Sequence, residues 1–185
     1  MKAVIFVKQS ERLPGKHLMT ICGEPIIKRI YDTLERTSLF EDVVIYSKYP
    51  DLEVGGCKIE QDNTVGTLLD SILSAIVIFG EFLAVGGDLP LLDSEIISKI
   101  VLNYHGNPVA AVDYEGIVEP LLAIYNKLVY EELLKFSMQS KKIFEFVGKQ
   151  FELIELDEAS SSKLLNVNTL KDLNNARRLI HCIQS

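Results

Sequence analysis

The chain is 185 residues long, 48% hydrophobic and 24% charged, with a formal net charge of −7. Those values suit one globular domain over residues 1–185 with room for a sizeable core, and exclude a disordered or fibrous chain. The negative balance argues against a general nucleic-acid-binding surface, which needs clustered positive charge, but leaves open a nucleotide site built on a few local cations.

The longest apolar run, around 72–79, contains Ser74 and is too short to span a bilayer, so no membrane association is expected. Cys22, Cys57 and Cys182 lie far apart without metal-ligand spacing and read as reduced, mostly buried thiols. Met1 leads directly into a strand pattern, which leaves no room for a signal peptide and gives a cytoplasmic reading.

The apolar run Lys2 to Val7 reads as a strand buried on both faces, as in a parallel sheet. A polar loop, Lys8 to Leu18, follows it and holds Pro14-Gly15 between Arg12 and Lys16. Helical spacing of Ile26, Ile27, Ile30, Tyr31 and Leu34 predicts a helix with Pro25 at its first position. Val43 to Tyr46 and Lys58 to Glu60 read as short strands. Val65 to Phe79 reads as a helix apolar almost all round, which should lie against the sheet with little exposure.

Glu81 to Gly86 is another buried strand, ending in Gly86-Gly87-Asp88-Leu89-Pro90. Asp93 or Ser94 then caps a helix reaching about Tyr104. Pro108 to Asp113 and Val118 to Tyr125 are strands, and Lys127 to Phe136 is helical. Lys141 to Gly148 reads as a short helix and Phe151 to Leu156 as a late strand. Thr169 with Asp172 resembles a capping box before a last amphipathic helix carrying Leu173, Ala176, Leu179 and Ile180. Strands alternating with helices predict a three-layer α/β domain with a mostly parallel sheet. Right-handed crossovers then put the loops after the first and fourth strands, and so Arg12, Lys16 and Asp88, on one rim.

A loop at the carboxyl end of a first parallel strand is where open α/β sheets bind ligands. Its glycine, hydroxyl and two cations suit a phosphate chain, and read equally as an ordinary solvated loop. Asp88 reads as a turn or cap residue, or as a Mg²⁺ ligand, since Mg²⁺ takes one or two carboxylates and completes its shell with water and substrate phosphates. Lying on the rim with Arg12 and Lys16, it favours the metal reading, as in phosphoryl or nucleotidyl transfer. His17, His105 and His181 show no pairing with a nucleophile; His17 reads as a solvated loop residue within reach of substrate.

These segments resemble a known family. Ser10-Glu11-Arg12-Leu13-Pro14-Gly15-Lys16 followed by Gly23-Glu24-Pro25 looks like the signature loop of nucleotidyltransferases. Gly86-Gly87-Asp88-Leu89-Pro90 resembles their metal-binding segment, while Glu119-Pro120-Leu121 and Asn166-Val167-Asn168-Thr169 resemble later segments of the molybdenum cofactor guanylyltransferases. The resemblance implies a Rossmann-like, glycosyltransferase-A-like nucleotidyltransferase fold. It also implies an enzyme that joins GMP from GTP to molybdopterin and releases pyrophosphate. Arg12, Lys16 and Asp88 would be catalytic, with Gly15, Lys16 and Ser10 on the triphosphate, Asp88 on Mg²⁺, and Asn166 and Asn168 toward the acceptor. Lys141 and Lys142 fall where the family tends to place basic residues for the acceptor, and read equally as a solvated helix start.

The family's usual Leu-Ala-Gly-Gly is replaced here by Val7-Lys8-Gln9, which lacks the glycines that let backbone approach a base or phosphate. The Ser10–Lys16 loop is closer to cytidylyltransferases that make CMP-activated acid sugars. GTP is therefore the favoured nucleotide with CTP as the alternative. Other acceptors, including sugar phosphates and cobinamide phosphate, and a non-catalytic nucleotide-binding relative stay open.

Overall fold

The computed structural model describes residues 1–180; His181 and Cys182, and the reading of Cys182 as a reduced thiol, lie outside them. β1 (Lys2–Val7) leads through a 3-10 turn at Lys16–Leu18 into a small hairpin, β2 (Thr20–Ile21) and β3 (Glu24–Pro25), then α1 (Ile26–Thr37). β4 (Val43–Ser47), β5 (Ile59–Gln61), α2 (Leu68–Phe79), β6 (Phe82–Gly86) and α3 (Ser94–Leu102) complete the parallel half. β7 (Val109–Val112), β8 (Val118–Tyr125), α4 (Tyr130–Ser137), α5 (Ile143–Gln150), β9 (Glu152–Glu155), α6 (Glu158–Ser162) and α7 (Leu170–Leu179) follow.

The main sheet runs β5-β4-β1-β6-β8-β7-β9. All its pairings are parallel except the two made by β8, which runs antiparallel to β6 and β7. The alternation of β1 explains the layering. Ala3, Ile5 and Val7 pack with α1, α3 and α7 through Ile27, Ile97 and Leu173. Val4 and Phe6 face α2 and α5 through Ile72, Phe146 and Val147. Burying both faces explains why β1 reads as a continuous apolar run.

Several expectations are adjusted. Pro25 caps α1 from the hairpin rather than occupying its first turn. α2 begins at Leu68, because Thr67 and Asp70 form a reciprocal capping box that fixes the start. The exposed end of α2 corrects the reading of little exposure: Val77 is 67% and Ile78 55% accessible. Residues 127–129 form a 3-10 turn before α4. Cys22 is disulfide-bonded, which corrects its reading as a reduced thiol. Cys57 is free, its thiol pushed up to about 11 chiefly by burial. No helix of the described residues is long and apolar enough to cross a membrane.

Candidate active site

The carboxyl ends of β5, β4, β1 and β6 and the amino end of β8 reach one rim, because β8 runs against its neighbours. A cleft of about 580 Å³ opens there. Its walls include Lys8 to Arg12, Lys16, Lys48, Asp62, Gly66 to Leu68, Asp88, Glu119, Asn166 and Asn168.

Gly15 adopts a left-handed backbone (φ +70°) that turns the loop into the 3-10 segment and aims Lys16 inward. Lys16 is buried; its Nζ donates to Asp88 Oδ2 at 2.6 Å and to Asn168 Oδ1 at 2.8 Å. Three segments far apart in the chain therefore converge on one ammonium group. The main chain reinforces the junction, since Val167 N–H donates to the Asp88 carbonyl at 2.9 Å.

The remaining residues expected in the site divide. Arg12 is exposed and lines the cleft, free to reach an anion there. The Ser10 hydroxyl oxygen accepts from Leu13 N–H at 3.2 Å, so Ser10 shapes the loop from the cleft wall. Asn166 lines the cleft and donates from Nδ2 to the Leu164 carbonyl at 3.4 Å. Gly15 lies outside the lining and acts through the loop's shape. Lys141 and Lys142 are exposed and outside the lining, and Lys142 pairs with Glu145 at 3.2 Å, which fits the solvated helix start.

His17 corrects its reading as a solvated residue. It is 4% exposed, with Nδ1 2.7 Å from the Gly87 carbonyl and Nε2 3.2 Å from the Lys8 carbonyl. Burial lowers its pKa, outweighing the hydrogen bonds that raise it. Both partners are carbonyl oxygens that can only accept, so at each contact the ring nitrogen acts as donor when it carries the proton. His17 thus ties the loop after β1 to the loop after β6.

Sequence patterns gave no signal for Lys48 or Asp62, and marked Glu119 only as part of a motif, without a role in the wall. Lys48 Nζ donates to the Thr64 carbonyl at 2.6 Å and lies 3.5 Å from Asp62 Oδ2. Burial pushes the Asp62 carboxyl up, but hydroxyls of Ser71 and Thr64, the Thr64 N–H and the Lys48 charge together hold it below the usual range. Glu119 is pushed up to about 7 by burial and by the neighbouring charges of Asp113 and Asp88.

No group of three or more His, Cys, Asp or Glu side chains among the described residues could enclose a metal ion. Asp88, a carboxylate on the cleft wall already matched to a cation, fits an ion that takes one carboxylate and fills its shell from water and phosphate. Mg²⁺ has that preference.

Residues 9–153 match the family described as "MobA-like NTP transferase domain". A Pyrococcus horikoshii protein named "Probable molybdenum cofactor guanylyltransferase" is 32% identical over 118 residues, covering 60% of this chain and 61% of the relative. A 3-deoxy-manno-octulosonate cytidylyltransferase from Chloroherpeton thalassium is 28% identical over 133 residues, 66% of this chain and 53% of its own length. The matches thus span between half and two thirds of those relatives. The crystal structure of molybdopterin-guanine dinucleotide biosynthesis protein A from Archaeoglobus fulgidus shares the fold, with a TM-score of 0.77 at 20% identity over 99% of this chain and 100% of that one. With the match covering most of its length, the chain belongs to the family of MobA-like NTP transferase domains.

Proposed function

We propose that this chain transfers the nucleoside monophosphate of GTP to the phosphate of molybdopterin and releases pyrophosphate. The observation that carries the proposal is the convergence of Lys16, Asp88 and Asn168 on one point of the cleft. Lys16 and Arg12 stand on the side of the loop after β1, where they would neutralise the triphosphate and the leaving pyrophosphate. Asp88 would hold Mg²⁺, and Mg²⁺ bound there supplies charge neutralisation at the α- and β-phosphates. Asn168 and Asn166 would orient the acceptor phosphate, whose ionised oxygen attacks the α-phosphorus in line. That nucleophile carries its own negative charge, so no general base is assigned. A cytoplasmic setting, where nucleoside triphosphates are abundant, belongs to the same proposal.

A cytidylyl reading is second. It is favoured by the Ser10–Lys16 loop, which is closer to that of cytidylyltransferases, and by the similarity to a cytidylyltransferase relative.

The test is pyrophosphate release by the purified chain with Mg²⁺ and each of GTP, CTP, ATP and UTP, with and without molybdopterin. Release with GTP only when molybdopterin is present, lost in Asp88→Ala, supports the proposal. Release with CTP moves the chain to the cytidylyl branch. Silence with every nucleotide in the presence of molybdopterin overturns that acceptor, and tight nucleotide binding that persists in Asp88→Ala without Mg²⁺ then marks a binding protein rather than an enzyme with another acceptor.

A further inference from the structure

Strand order divides the cleft. The loop after β1, with Lys8, Arg12 and Lys16, adjoins the ends of β4 and β5, where Lys48, Gly66 and Thr67 lie. Asp88, after β6, stands between that cationic half and the amino end of β8. The β6–β8 register pairs Val85 with Leu122, and just past the end of β6 Asp88 comes close enough to Glu119 in the same wall for the two charges to repel.

Glu119 reaches the cleft because β8 is irregular. Ala110 pairs with Ala123, yet Ala111 pairs with Glu119, so the intervening residues of β8 bulge away from β7. The bulge is pinned from below: Tyr125, fully buried, donates its hydroxyl to the Pro120 carbonyl at 2.9 Å. The Glu119 carboxylate makes no hydrogen bond or ion pair among the described residues, whereas Asp88 is paired with Lys16. It faces like charges from Asp113 and Asp88. Pro120 and Leu121 form an apolar ledge beside it in the same wall.

Phosphate is repelled from such a place, while a half-buried carboxylate without a partner favours N–H donors. A flat ring lying on Pro120 and Leu121 and presenting adjacent N–H groups satisfies both the ledge and the carboxylate. The edge that matches a carboxylate with paired bonds is the ring N–H and exocyclic amino group of a 2-amino-4-oxo heterocycle. Guanine and pterin both carry it. The triphosphate cations lie on the other side of Asp88, which leaves the β8 side to the acceptor.

We propose that Glu119 is the residue that selects the acceptor, by accepting paired hydrogen bonds from the 2-amino-4-oxo edge of a pterin ring laid on Pro120 and Leu121. The assignment rests on the nucleotidyl-transfer reading and adds the residue that recognises the acceptor's ring.

The test is fluorescence titration of the full chain, with GTP and Mg²⁺ present, by pterin and by lumazine, which has a carbonyl in place of the amino group. Wild type is expected to prefer pterin by roughly tenfold or more. Glu119→Gln and Glu119→Ala should lose that preference while the Kd for GTP stays within about twofold. Equal binding of the two rings by wild type, no pterin binding at all, or a preference retained in both variants overturns the proposal. A GTP affinity that falls together with pterin binding also overturns it and assigns the edge to guanine. Tight Mn²⁺ binding lost in Glu119→Gln overturns it in favour of a cation ligand. Failure of the transfer reading is separate, because it shows as no pyrophosphate release by wild type with any nucleotide and molybdopterin.

Discussion

Lys16 and Asp88 stand 72 residues apart in the chain and meet as an ion pair of 2.6 Å, with side chains only 7% and 21% exposed. The same ammonium also reaches Asn168, 152 residues from Lys16 in the chain. One cation therefore fastens the loop after β1, the loop after β6 and the approach to α7. In the proposed reaction it has to serve phosphate as well, so loss of Lys16 should affect architecture and chemistry together.

Lys16→Met is expected to lower pyrophosphate release by about 10²–10³-fold, the usual cost of removing one preorganised charge from such a transition state. Asp88→Asn should cost at least as much. The double variant should be no worse than the poorer single one, since both changes break one unit. Steady-state kinetics of the four proteins checks this, and multiplicative losses would mean that the two side chains act separately. Lys16→Arg is not expected to rescue, because a planar fork does not fit a slot shaped for a single ammonium.

Asp62 makes stability depend on acid. Its folded carboxyl lies below its ordinary range, so the stabilisation is present above the unfolded pKa and disappears as pH falls through the folded value. Asp62→Asn should cost about 1–3 kcal/mol at pH 7, the scale for buried hydrogen bonds to a charged group, and progressively less toward pH 3. Urea midpoints measured across that range decide the matter; a cost independent of pH would show that shape, not charge, is what Asp62 contributes.

Glu119 has the opposite sign. Its folded pKa of about 7 exceeds the 4.5 of an ordinary glutamate, so the folded chain holds a proton that the unfolded chain has lost between those values. Stability should fall as pH rises from about 4.5 to 7. Glu119→Gln should be nearly neutral at pH 4 and stabilising by about 1–2 kcal/mol at pH 8, allowing for screening of a partly exposed group. Thermal unfolding in EDTA at the two pH values tests it, and equal midpoints for wild type and variant at pH 8 would refute it.

How much of this was legible in the chain depended on the range of the interaction. β1 and β6 announced themselves because strands buried on both faces are continuous apolar runs. The cap of α3, readable as Asp93 or Ser94 and found at Asp93, and the capping box of α7 were legible because capping is local. Arg12, Lys16 and Asp88 were placed on one rim by topology alone, although the direct contact between two of them was not visible. Glu119 was legible only as part of a motif; its position depends on the antiparallel direction of β8 and on a bulge held by Tyr125, neither of which leaves a periodicity. His17 looked solvated because one of the two carbonyls it meets, that of Gly87, belongs to a loop 70 residues away.

Gly87 shows how closely the two loops of the site are fitted. Its N–H donates to the Phe6 carbonyl at 3.1 Å, and its own carbonyl lies 2.7 Å from His17 Nδ1. A Cβ added there would come within 2.9 Å of Val7 Cγ2 and 3.1 Å of the Phe6 carbonyl oxygen, both on buried β1. Gly87→Ala should therefore push the Asp88 loop away from β1, at a cost of about 1–3 kcal/mol typical of overpacking. Turnover should fall further than partial unfolding explains, because Asp88 is the next residue. Gly15→Ala offers the contrast. Nothing lies within 4 Å of its added Cβ, but the backbone is left-handed at φ +70°. That change should cost roughly 1–2 kcal/mol by strain alone. Urea unfolding and pyrophosphate release compared across both variants separate crowding from backbone strain. A Gly87→Ala protein with wild-type turnover would mean that the loop after β6 moves freely relative to β1, and that the 2.6 Å pairing of Lys16 with Asp88 does not depend on their close fit.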